Sequence, residues 1–84
     1  MNYEVHLIPS VEKEMDRFTD LVYDRISSKI LTLENNPRPR GYKKLSGREE
    51  YRVRAGDYRI LYVVNDKERI ITILAVGHRR DVYR

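Results

Sequence analysis

Arginine is the residue type whose spacing first suggests chemistry in this sequence. In Tyr51-Arg52-Val53-Arg54, strand alternation sends Tyr51 and Val53 to one side and Arg52 and Arg54 to the other. Like charges two residues apart on a strand repel, so stability alone does not favour the pair unless an anion receives it. Arg59 lies opposite to Ile60 on the next strand-like run, beside Leu61 and Val63. Three guanidinium groups are therefore expected to converge over a shallow apolar floor. Taken singly, each reads as a solvated surface cation. Together, and followed by Arg79 and Arg80, they offer forks that match phosphate oxygens in pairs, which fits a phosphodiester cradle.

The closing stretch Val76-Gly77-His78-Arg79-Arg80-Asp81-Val82-Tyr83-Arg84 runs from an apolar strand through glycine into a polar cluster. Gly77 is expected to let the backbone turn sharply, so that His78 and Arg79 project over the sheet edge. His78 has an ordinary pKa near neutrality, which suits proton transfer, but an exposed C-terminal histidine fits the position equally well. Tyr83 would stack on a nucleobase or pack back onto the sheet, and both readings stay open. His6 reads as an ordinary exposed or interfacial residue. Metal chemistry finds no ligand spacing in the basic half, and there is no Walker or dinucleotide glycine pattern. No cofactor or metal is expected. A metal-free route on RNA needs only a base for the 2′-hydroxyl proton and cations for the pentavalent oxyanion.

The elements that would position these groups follow from periodicity. Tyr3, Val5 and Leu7 alternate with polar residues, predicting a half-buried strand that ends at Pro9. Ser10 is the expected N-cap of a short helix running to about Phe18. Val22, Ile26, Ile30 and Leu33 align on one face of a second helix, stopped by Asn35-Asn36-Pro37. From Asn35 to Gly47 the chain reads as a basic loop. Strands are expected over Tyr51 to Arg54, Tyr58 to Asn65 and Arg69 to Val76, joined by short turns as antiparallel hairpins. The result is a small α+β domain, ordered β-α-α-β-β-β, with its helices on one face of the sheet.

With 84 residues there is room for one domain, residues 1–84, and a core of modest net stability. The absence of cysteine fits a reducing cytosol and argues against a secreted disulfide scaffold. Neither a signal peptide nor a spanning segment is expected. The net charge of +4 is unevenly spread: residues 1–37 carry 4 Lys and Arg against 7 Asp and Glu, or −3. The remainder carries 13 against 6, or +7. Such a field draws polyanions, nucleic acid first among them, although an acidic protein would satisfy it too.

In order and spacing, Lys44-Leu45-Ser46-Gly47, Tyr51-Arg52-Val53-Arg54, Asp57-Tyr58-Arg59-Ile60-Leu61-Tyr62 and Val76-Gly77-His78-Arg79-Arg80-Asp81-Val82-Tyr83 resemble the RelE/ParE superfamily of type II toxin–antitoxin toxins, nearer its RelE branch. The resemblance implies a cytoplasmic mRNA interferase that enters the ribosomal A site, cleaves mRNA there and so inhibits translation. It also implies neutralisation by a cognate RelB-like antitoxin, with ribosome and mRNA as the other partners. The toxin alone would be monomeric, away from membranes and without a small-molecule cofactor. Carried over by position, Arg52, Arg54 and Arg59 would bind phosphate and stabilise the transition state, Arg79 would assist the leaving oxygen or bind phosphate, and Tyr83 would stack on or orient the RNA. Lys43, Lys44, Arg48 and Arg80 would touch RNA backbone.

Two departures from the family pattern bear on mechanism. Arg54 stands where the best-understood RelE-like site has a lysine acting as base, and arginine stays protonated at neutral pH. The expectation is that His78 or an arginine-oriented water takes the proton. The sequence also stops at Arg84, without the extra helix of some relatives, so a more open site or different antitoxin contacts are expected. Against the nuclease reading stand a ParE-like inhibitor of DNA gyrase and a weakened toxin acting mainly as an antitoxin-binding module.

Overall fold

The opening alternation forms strand β1 (Glu4–Leu7). The computed structural model describes residues 2–45, 47 and 49–78. Helix α1 (Pro9–Asp16) starts earlier than expected, with Ile8 rather than Ser10 as N-cap and Pro9 in the first turn. Proline suits that place because its φ is already helical and its missing N–H would go unbonded anyway. Val11 and Met15, four residues apart, bury the inner side of α1. Thr19 caps helix α2 (Asp20–Asn35), its Oγ1 accepting from the Val22 N–H at 3.3 Å. Ile26, Ile30 and Leu33 form the buried stripe that the spacing predicts.

Inside the basic loop, Lys43–Lys44 forms a two-residue strand, β2, which the pattern does not announce. Its existence depends on a neighbour: Lys43 pairs with Arg52 and Lys44 with Tyr51 on β3 (Glu50–Ala55). Strands β4 (Tyr58–Asn65) and β5 (Ile70–His78) complete one five-stranded sheet in the order β1-β5-β4-β3-β2. The three C-terminal strands are antiparallel as expected, but β1 runs parallel to β5, with Val5 opposite Ile71 and Leu7 opposite Ile73. The sheet is therefore mixed. The helical hairpin between β1 and the remaining strands reverses the chain often enough for β1 to join as a parallel edge.

α1 packs on β5 while α2 spans β1, β3 and β4. Beneath them Val53, Ile60, Tyr62, Ile71, Ile73 and Val76 make the sheet side of the core. Between β4 and β5 the register slips: Leu61 opposes Ala75, yet Tyr62 opposes Ile73. The extra residue, Leu74, makes a β-bulge, which exchanges the faces of everything beyond it. Ile71 and Ile73 face the helices before the bulge, and Val76 does so after it.

Tyr62 is fully buried and its hydroxyl donates to the Pro37 carbonyl at 2.7 Å, tying the end of α2 to β4. Burial raises its phenol pKa well above the ordinary value. Tyr62→Phe should lower unfolding free energy by about 1–3 kcal/mol, because the Pro37 carbonyl then lacks its buried donor. Urea titration of the pair checks this, and equal midpoints would show that the bond is replaceable.

Candidate functional site

Cross-strand partners share a face, so the register states which residues meet on the side away from the helices. One row runs Lys43, Arg52, Leu61, Ala75 across β2, β3, β4 and β5. The next runs Arg54, Arg59, Gly77. The three arginines thus come together, over a floor of Leu61 and small residues from β5. Arg52 is 8% exposed and Leu61 2%, whereas Arg54 is open to solvent and Arg59 is partly covered. A charge withdrawn from water, as on Arg52, exerts a stronger field on an approaching anion than a solvated one.

Arg54 and Arg59 stand directly opposite each other beside the Gly56-Asp57 turn. Like charges in that relation are destabilising. Gly56 sits at φ +64, the left-handed conformation the two-residue turn needs. With Asp57 it lines a recess of about 50 Å³ between the two arginines. Glu50, in the row beyond Arg52 on the same face, tempers the cationic surface at that end.

The other expected residues are distributed differently. Lys43 lies in the arginine row, but Lys44 faces the other way, opposite Tyr51, and pairs with Glu49 at 3.8 Å. Gly77 does not turn the chain; it continues β5, opposite Arg59. His78 pairs with Tyr58 across the sheet and its ring meets that of Tyr58 edge to face, with centroids 5.7 Å apart. Tyr58 packs in turn on Phe18. His78 therefore lies on the helix face and does not join the arginines. The bulge at Leu74 is the reason, since strict alternation from Ile71 would have placed His78 beside them. His6 is half exposed and paired with Glu4. Arg48, Arg79, Arg80 and Tyr83 lie outside the described residues.

Sequence reasoning missed the group that holds the loop before β2. Arg38 grips Asp66 through both guanidinium ends, at 2.9 and 3.2 Å, and donates to the Tyr51 hydroxyl at 3.3 Å. The Tyr3 hydroxyl donates to the same carboxylate at 2.6 Å. Because the partners come from four parts of the chain, no local spacing signals the cluster. The Arg38 bonds, followed by that of Tyr3, hold the Asp66 carboxyl down at about 2. A depressed folded pKa stabilises above the unfolded value of about 4, and that contribution fades as pH falls from about 4 toward about 2. Asp66→Asn should accordingly flatten the acid limb of a melting-temperature profile over that window. An unchanged limb would mean that the clamp contributes nothing to stability.

Among the described residues no helix is long and apolar enough to cross a membrane, and no three His, Cys, Asp or Glu side chains gather as metal ligands. Residues 6–83 match the family model described as ParE toxin of type II toxin-antitoxin system, parDE. The chain belongs to the RelE/ParE superfamily, as a type II toxin of the RelE family. It is 33% identical to RelE1 of Methanocaldococcus jannaschii over 100% of its own length and 98% of the relative's. The RelE–RelB complex of Pyrococcus horikoshii OT3 contains a chain 34% identical to it, with a TM-score of 0.84, covering 98% of this chain and 100% of that one. A chain of the RelB–RelE complex of Methanococcus jannaschii is 26% identical with a TM-score of 0.72, covering 93% and 94%.

Proposed function

We propose that this toxin is a ribosome-dependent endoribonuclease that cuts mRNA in the A site without a metal ion. The observation that carries the reading is the convergence of Arg52, Arg54 and Arg59 on the sheet face away from the helices, beside the small residues Ala75 and Gly77. The 2′-oxygen attacks the adjacent phosphorus, the bond from phosphorus to the 5′-oxygen breaks, and a cyclic phosphate is left. The arginines take the charge that builds on the equatorial oxygens. The leaving oxygen is protonated with help from Arg79, and Tyr83 orients the RNA, roles drawn from the family pattern. Primer extension on a message translated in a reconstituted system tests the reading: new 5′ ends should appear inside codons only when ribosomes are present.

The position of His78 behind the sheet supports an arginine-oriented water, rather than the imidazole, as acceptor of the 2′-hydroxyl proton. His78→Ala should keep cleavage within a few-fold of the parent across neutral pH. A loss of about 10²–10⁴-fold, the usual worth of a general base, would return the role to the histidine.

The partner would be a RelB-like antitoxin, as in the complexes that contain the similar chains. Leu21, Tyr23 and Leu31 are exposed apolar residues on α2, and the second half of the chain is basic. An acidic, amphipathic segment that folds on binding suits that combination. The matched family model is described by its ParE members, which favours inhibition of DNA gyrase as the second reading. Loss of supercoiling by purified gyrase, with messages left intact, would decide for it.

A further inference from the structure

Beside the cradle, and partly continuous with it, lies a recess of about 330 Å³. Its walls are Lys29 of α2, Arg40 and Gly41 of the loop, Lys43 of β2, and Arg52, Val53 and Arg54 of β3. Five of these seven residues are cations and none is an acid. Among the described residues, Lys29, Arg40, Lys43 and Arg54 enter no ion pair. On α2 the residues three and four positions from Lys29 are Arg25, Ile26, Thr32 and Leu33, so the helix supplies no carboxylate to balance it. β2 pairs only with Tyr51 and Arg52, leaving the backbone edge of β3 from Val53 onward without a strand beside it among the described residues. Crowding positive side chains around an open edge costs stability unless an anion settles there.

We propose that this recess is a second phosphate subsite, holding a phosphodiester next to the one gripped over Arg52, Arg54 and Arg59, on the same RNA strand. The inference rests on the nuclease reading above. Sharing of Arg52 and Arg54 between the two places makes them neighbours along one backbone. An acidic protein segment fits the lining less well, because Val53 is its single apolar side chain and an amphipathic peptide would have nothing to bury. Arg38, clamped to Asp66, holds the loop that carries Arg40, so the subsite is built before RNA arrives.

The test uses the full chain and a short single-stranded RNA bearing 2′-O-methyl groups, which cannot be cut. Anisotropy titrations over a range of salt give the number of phosphates neutralised. Lys29→Gln combined with Arg40→Gln should weaken binding several-fold and reduce the slope of log affinity against log salt by about 0.7 for the lost phosphate. Lys13→Gln combined with Lys67→Gln, both exposed and away from the recess, removes the same charge and should leave the slope alone. An undiminished slope in the double variant overturns the proposal. So does a slope lost only on an RNA duplex, which would give the subsite to a different strand, or weakened binding of a poly-glutamate peptide with RNA binding intact. Because the RNA is never cut, these outcomes are independent of whether primer extension finds cleavage.

Discussion

On the proposed nuclease reading, Arg59→Ala is expected to slow mRNA cleavage by about 10²–10³-fold. Removing one preorganised donor to a developing oxyanion has a cost of that order in enzymes that work by electrostatic stabilisation. Arg59 faces Arg54 across the hairpin, a like-charge relation that stability alone does not favour. A surface cation with no function would leave the cleavage rate where it was, and a structural arginine would take the melting temperature down with it. The first result removes Arg59 from the site. Single-turnover cleavage on stalled ribosomes, set beside a thermal melt, reads both.

Leu33→Ala is expected to remove much of the stability of the isolated toxin. Leu33 is fully buried between α2 and the sheet, and truncating such a residue costs about 2–5 kcal/mol in lost transfer energy and cavity. A chain of this length has roughly 4–13 kcal/mol in total. Urea unfolding should show the midpoint falling while the slope stays constant. A partner that binds only the folded state recovers stability by mass action, so added antitoxin should raise the variant's midpoint in proportion to the logarithm of its concentration. A loss under about 1 kcal/mol would mean that α2 repacks, and that the buried stripe is less decisive than its spacing suggests.

What the sequence discloses depends on the range over which each feature is determined. The face shared by Arg52 and Arg54 is legible because alternation within four residues settles it, and the α2 stripe because Val22 to Leu33 contains its own period. β1 is legible as a strand, but its parallel partner is set by β5, 66 residues away by register, and nothing in Tyr3 to Leu7 encodes a direction. Lys43–Lys44 has no apolar pattern and becomes a strand only because β3 lies beside it. The helix start moves from Ser10 to Ile8 because Pro9 fits the first turn, a preference that competes with the polar cap. His78 shows the sharpest difference. Its face follows from counting along β5, and the single inserted residue at Leu74 reverses the count. Isoleucine, threonine and leucine around the bulge carry no mark of it, since both faces of that strand are apolar.

Parallel pairing of the first strand with the last has a temporal consequence. As the chain leaves the ribosome, α1, α2 and the β3–β4 hairpin can form from nearby residues, whereas β1 has nothing to bond until Ile70 to Ile73 have emerged. The floor next to Arg54 and Arg59, which β5 also supplies, arrives equally late. The sheet, and with it the face that gathers the arginines, is consequently closed only once β5 has been made.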